Sequence, residues 1–212
     1  RFAGGDFNGD GIDDIIAGAA DASRVDEKYA PAALFTAGET YIVFGKRGLE
    51  NTSVIDLALE QEGVVSIWYA HTDQLGYADM LGYGVAADDV NGDGFDDAVI
   101  SARFADSGPL TDTGAVYVVA GSADMAGRGI IRLNENPEGA IVIKGASAGN
   151  YTGDDVNAGD IDGDGFADIL ASAYAASALG RANCGISYVV RGSASFFAGE
   201  DIDLAQQTPG VV

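Results

Sequence analysis

The stretch DDVNGDGFDDAVISA, residues 88–102, sets an acidic, glycine-punctuated turn directly against an apolar run. GDFNGDGIDD (5–14), followed by IIAGA, does the same, and so does GDIDGDGFADILASA (159–173). Numbered from the first Asp of each turn, positions 1, 3, 5 and 9 are Asp6, Asn8, Asp10 and Asp14. The second turn has Asp89, Asn91, Asp93 and Asp97, and the third Asp160, Asp162, Asp164 and Asp168. Position 6 is always Gly, which permits a sharp turn, and position 7 is apolar: Ile12, Phe95 or Phe166.

Oxygen donors at alternate positions converge on one point when the backbone curls around it. Position 7 adds a backbone carbonyl and position 9 closes the shell. Such a hard, all-oxygen set suits Ca²⁺, whereas Zn²⁺ draws on His and Cys. An EF-hand starts similarly but requires Glu at position 12 and flanking helices. Position 12 here is Ala17, Ile100 or Ala171, inside expected strands. The expectation is three strand-to-strand turns, each holding one Ca²⁺ through the fifteen residues Asp6, Asn8, Asp10, Ile12, Asp14, Asp89, Asn91, Asp93, Phe95, Asp97, Asp160, Asp162, Asp164, Phe166 and Asp168. A metal-free Asp/Gly turn is the ordinary alternative for any one of them; identical spacing in all three argues against it.

The turns belong to a longer repeat. GETYIVFG (38–45), GAVYVVAG (114–121) and GISYVVRG (185–192) are Val/Tyr-rich strands closed by Gly. IDLALEQEGVV (55–65), IRLNENPEGAI (131–141) and IDLAQQTPGVV (202–212) follow. The closing Gly precedes the Leu of this last motif by 12 residues every time: Gly45–Leu57, Gly121–Leu133 and Gly192–Leu204. Each unit thus has four strands: one before the acidic turn, one after it, the Tyr-Val run, and VVSIWYA (64–70) or AIVIKGA (140–146). No sustained 3.6-residue period occurs, so helix content is expected to be low. Four-stranded antiparallel units of this length in series specify an all-β propeller. About three blades are expected within a single segment 1–212, at 1–70, 81–146 and 152–212.

Composition limits function. Eleven basic residues against 33 acidic ones give a net charge of −22, which repels nucleic acid and anionic membrane. Three Ca²⁺ would offset part of that charge and draw neighbouring carboxylates together. Weak extracellular calcium sites need the millimolar levels found outside cells, so secretion or surface display is expected. No apolar run reaches membrane-spanning length, and no stretch of this sequence is expected to act as a signal peptide. The single cysteine, Cys184, reads as a small buried hydrophobe, and Trp68 as packing. There is no Gly-x-Ser-x-Gly elbow and the one histidine is His71, so an enzyme, for instance a hydrolase, is not expected.

VNGDGFDDAVISA and TGAVYVVAG make the chain resemble the FG-GAP repeats of integrin α-subunit propellers and their bacterial relatives. Leu81-Gly82 and Thr152-Gly153 stand at the Phe-Gly positions. Gly18-Ala19-Ala20, Ser101-Ala102-Arg103 and Ser172-Ala173-Tyr174 stand at the Gly-Ala-Pro positions. The Ala-rich, acidic composition looks more like large secreted bacterial proteins. The resemblance implies a seven-bladed ring, so further blades or a second chain are expected to close it. It also implies ligand binding on the face opposite the calcium turns. Both length insertions fall in the 2–3 and 4–1 connections of that face, where Arg24, Lys28, Tyr29, His71, Tyr77 and Arg103 are candidate contacts for a protein or glycan. The competing expectation is a structural spacer that binds nothing.

Overall fold

A computed structural model describes residues 1–26, 30–34, 37–48, 54–57, 62–69 and 79–206, with the backbone alone for 24–26 and 30–34. Strands β1 (Phe2–Gly5), β2 (Asp14–Ala19), β5 (Glu39–Val43) and β6 (Val64–Trp68) form the first antiparallel sheet in that order. A small hairpin, β3 (Arg24–Asp26) with β4 (Ala30–Leu34), fills the insertion between β2 and β5. The second sheet contains β7 (Leu81–Asp88), β8 (Asp97–Ala102), β9 (Ala115–Val119) and β11 (Ala140–Lys144). The third contains β12 (Thr152–Gly159), β13 (Asp168–Ala173) and β14 (Ile186–Val190). No α-helix occurs among the described residues, only 3₁₀ turns such as Met125–Gly127 and Leu133–Glu135. The strands expected to follow the acidic turns are therefore present as β2, β8 and β13.

Two short strands exceed the expected four per unit. β10 (Ile130–Arg132) pairs in parallel with β6, and β15 (Ile202–Asp203) with β11. Each lies in the constant 12-residue spacer and adds a fifth, outermost strand to the sheet of the preceding repeat. The segment between third and fourth strands thus straps one blade to the one before it.

Burial follows from stacking. All six residues of β8 are buried because both faces of its sheet are covered. Ala98 and Ile100 join the core with Phe7, Ile16, Ile42, Val65 and Ile67 of the first sheet. Val99, pointing the other way, joins Val156, Ile169, Ala171 and Val190 of the third. The two outer sheets each keep one uncovered face. Phe2 and Ile15 are 82% and 50% exposed, whereas their counterparts Val85 and Ala98 are 8% and 0%. On the far side, Ile161 and Leu170 are 68% and 45% exposed, against 0% for Val90 and Val99. The stack is an open set of propeller blades. Trp68 is buried in β6, as expected of packing. Cys184 is exposed instead of buried, because the connection before β14 turns out toward solvent there.

Candidate cation-binding turns

Antiparallel pairing of β1–β2, β7–β8 and β12–β13 puts the three acidic turns at one end of the stack. The three turns share most of their internal hydrogen bonding. The position 1 carboxylate caps the turn: Asp89 Oδ2 accepts the Gly94 N–H at 2.8 Å and Oδ1 the Gly92 N–H at 2.7 Å. Asp160 accepts from Gly165 at 3.0 Å and Gly163 at 2.7 Å, and Asp6 from Gly11 at 2.8 Å. Position 3 then accepts from the N–H of position 5, at 3.0 Å for both Asn8–Asp10 and Asn91–Asp93 and 3.2 Å for Asp162–Asp164. Position 5 accepts from position 7: Asp10 from Ile12 at 2.8 Å, Asp93 from Phe95 and Asp164 from Phe166 at 3.0 Å. The curl is closed by glycines with positive φ at position 6, 77°, 89° and 92° for Gly11, Gly94 and Gly165.

Position 9 is different in kind. Asp14, Asp97 and Asp168 are buried at the first residue of β2, β8 and β13. Each spans two elements: Asp97 accepts the N–H of Val90 and of Gly121, both at 2.9 Å. Asp14 does so with Phe7 at 3.0 Å and Gly45 at 2.8 Å, and Asp168 with Ile161 at 3.2 Å and Gly192 at 3.0 Å. The glycine closing the third strand is required by this approach; a Cβ on Gly121 would lie 2.3 Å from the Asp96 carbonyl oxygen. Spacing alone presented position 9 as a ligand and concealed this anchoring role.

Burial raises Asp14 to a pKa of about 6 and Asp97 to about 7. Two N–H bonds pull each down, and the carboxylates at positions 1 and 5 push each up. Asp160 is held below the usual carboxylate range by the N–H groups of Gly165 and Gly163. Position 7 side chains do not simply enter their own sheet's core. A Cβ on Gly9 would lie 2.5 Å from Phe95 Cε1, and one on Gly92 2.6 Å from Phe166 Cε1. Each half-buried ring therefore packs under the turn of the preceding repeat.

The donor chemistry fits a hard dication. In the third turn, carboxylate oxygens of Asp160, Asp162 and Asp168 lie within 4.8 Å of one another. The first two turns carry the amide oxygens of Asn8 and Asn91 at position 3 instead. Carboxylate oxygens have lone pairs beyond those accepting N–H bonds, so the same atoms could hold Ca²⁺. The third turn has one further feature: Arg191 Nη1 stands 3.0 Å from Asp162 Oδ2.

Of the candidate ligand contacts, Lys28, Tyr29, His71 and Tyr77 lie outside the described residues, and Arg24 is described by its backbone alone. Arg103 is held in place by its own surroundings. It pairs with Asp154 at 2.9 Å, and its guanidinium lies 4.5 Å from the Tyr83 ring centroid, 4.8 Å from Phe104, 5.4 Å from Tyr174 and 5.6 Å from Tyr151. It joins the second repeat to the third.

A family described as FG-GAP repeat matches residues 1–41 and 81–119. The chain is similar to phosphatidylinositol-glycan-specific phospholipase D of Mus musculus, 32% identical over 168 residues, covering 79% of this chain and 17% of that protein. The Rattus norvegicus protein of the same name is 32% identical over 183 residues, covering 85% and 19%. Integrin alpha-PS5 of Drosophila melanogaster is 34% identical over 104 residues, covering 49% and 9%. The chain spans less than a fifth of the length of each of these relatives.

Proposed function

Because the chain is built of FG-GAP repeats, we propose that it is a calcium-stabilised extracellular β-propeller module that presents an adhesive or ligand-binding face. The observation that carries this is the threefold recurrence of one all-oxygen turn at one end of the stack, with length variation confined to the other end. A dication in each turn relieves repulsion among its carboxylates and stabilises the blade junctions beside it. The opposite face then offers variable loops, including the β3–β4 hairpin, on a rigid base for a protein or glycan. The uncovered apolar faces at Phe2/Ile15 and Ile161/Leu170 fit further blades, in the same polypeptide or a second one. An all-oxygen site of moderate affinity works where calcium is millimolar, which favours a secreted or surface location. Among the described residues no helix is long and apolar enough to cross a membrane.

Thermal unfolding in millimolar Ca²⁺ and in EDTA tests the metal half. Chelation is expected to lower Tm by well over the ~2–4 °C that about 1 kcal/mol causes in a chain of this size. Superimposable curves would overturn it. A glycan array and a panel of purified extracellular proteins, probed with and without EDTA, test the binding half. Binding that disappears when residues 21–35 are replaced by the shorter connection of the second repeat supports a ligand face. A chain that melts with calcium dependence yet binds no member of either panel is a spacer.

A further inference from the structure

The first and second acidic turns meet at one residue, Asp96. Its Oδ2 accepts the N–H of Asp6 at 2.7 Å, while its own N–H donates to the Asp6 carbonyl at 3.1 Å. The approach requires Gly5, since a Cβ there would lie 2.8 Å from Asp96 Oδ2 and 2.9 Å from Ala87 Cβ. The junction between second and third turns keeps only the backbone half, with the Ala167 N–H donating to the Asp89 carbonyl at 2.9 Å. Ala167 has no carboxylate to offer, and the Asp89 N–H is taken by the adjacent Asp88 at 2.9 Å. Gly5 therefore goes with Asp96, and Asp88 with Ala167. In one junction the N–H of the first ligand residue is held by the next repeat; in the other it is held from within its own repeat.

We propose that Asp96 is a positioning residue that couples cation binding in the first two turns more strongly than the second is coupled to the third. This rests on the calcium reading above. Asp96 sits between Phe95 and Asp97, positions 7 and 9 of the second turn. Whatever orders that turn orders Asp96, and through it both sides of Asp6, position 1 of the first turn. Ordering achieved when one turn fills does not have to be repeated when the other fills, which is positive cooperativity without a change of fold. The effect is reciprocal. Besides the backbone bond to the position 1 carbonyl, two further contacts are common to both junctions and set a shared background. They are the rings of Phe95 and Phe166 beneath Gly9 and Gly92, and the N–H groups of Ser122 and Ser193 donating to the carbonyls of Phe7 and Val90 at 3.0 and 2.9 Å. Asp96 is the difference between them.

The test is a calcium titration followed by nuclear magnetic resonance at the amides of Gly11, Gly94 and Gly165, one reporter per turn. Gly11 and Gly94 are expected to move together along one sigmoidal curve, with Gly165 on a separate one. In Asp96→Ala the first two curves should part and become hyperbolic, the Gly11 midpoint rising about five-fold or more. Asp96→Asn, which keeps an acceptor for the Asp6 N–H, should restore the shared curve. Gly5→Ala should mimic Asp96→Ala without removing a charge. Should either variant fail to fold, Asp88→Gly combined with Ala167→Asp provides the converse, drawing Gly165 into the shared transition. Three independent hyperbolic curves in the unaltered protein would overturn the coupling while leaving calcium binding intact. So would an Asp96→Ala protein whose curves do not change. Calcium that shifts none of the three glycines would overturn the calcium reading itself.

Discussion

Asp97 Oδ1 accepts the N–H of Gly121 at 2.9 Å across 24 residues of sequence, joining the start of β8 to the end of β9 beneath the second turn. Its other oxygen holds Val90 at 2.9 Å, and the carboxylate is fully buried. Asp97→Ala would leave two buried N–H groups without partners, at about 1–3 kcal/mol each. We expect a loss of about 2–5 kcal/mol by denaturant unfolding, in EDTA as well as in calcium. Asp93→Ala should differ, because Asp93 is exposed and bonds within its own turn. Its loss is expected to be small in EDTA and larger in calcium. Equal effects of the two variants in EDTA would contradict the anchoring role.

Calcium should reverse the pH dependence of stability. Without a cation, Asp14 and Asp97 have folded pKa values of about 6 and about 7, above the ordinary 3.8, with burial as the main cause. A carboxylate raised by folding stabilises the native state fully below its unfolded pKa, and that contribution is lost as pH rises through the folded value. In EDTA, Tm should therefore fall between about pH 4 and pH 7, the pair together accounting for several kcal/mol, at most about 7 at about 1.4 kcal/mol per pKa unit. If calcium occupies the turns as proposed, it would hold the ionised form, so in millimolar Ca²⁺ the fall should vanish or invert. Scanning calorimetry at five pH values under both conditions checks this; parallel curves would contradict it.

The third turn should respond to removal of Arg191. Position 3 there is Asp162 where the other turns have Asn, and Arg191 lies 3.0 Å from it, both side chains partly exposed. On the calcium reading, the guanidinium would compete with the cation for the same oxygen. Exposed ion pairs of this kind are worth up to about 1 kcal/mol, so Arg191→Ala is expected to tighten calcium at the third turn by up to about five-fold. Gly165 reports that change by resonance shift, and Gly11 should not move. Weaker binding at the third turn in Arg191→Ala would show that Arg191 supports the turn.

The sequence made much of this legible because β strands with both faces covered are apolar at most of their positions. DAVISA is such a run, and its Asp97 marked where the turn ends and β8 begins. The donor pattern at positions 1, 3 and 5 was equally plain, since each side chain bonds within a few residues of itself. Contacts between repeats were not. β10 and β15 carry no periodicity of their own; their only trace was a constant 12-residue spacer, whose cause is pairing with another sheet. The second role of Asp97 depends on Gly121, too far along the chain for spacing to show. Cys184 was misplaced because its reading rested on residue type alone, whereas the connection before β14 carries it into solvent beside Arg181 and Asn183.

Leu179 sits at a hairpin tip with φ of 53°, the left-handed region where its counterpart in the preceding repeat is Gly108, with φ of 58°. Ala178 and Arg181 close that tip with mutual backbone bonds of 3.1 and 2.9 Å, and Gly180 at φ 75° follows, so both central residues are left-handed. A turn of that kind favours Asn-Gly, and an L-residue with a bulky Cβ costs roughly 1–2 kcal/mol there. Leu179 recovers none of this by burial, being 92% exposed. Leu179→Asn is expected to stabilise the chain by about 0.5–1 kcal/mol, raising Tm by about 2 °C. Because the tip lies on the variable face, the same variant separates two reasons for keeping a strained leucine. Higher Tm with unchanged ligand binding makes Leu179 a tolerated cost of sequence drift. Higher Tm with weakened binding makes it an apolar contact for the ligand. A lower Tm would mean that the turn is not under strain.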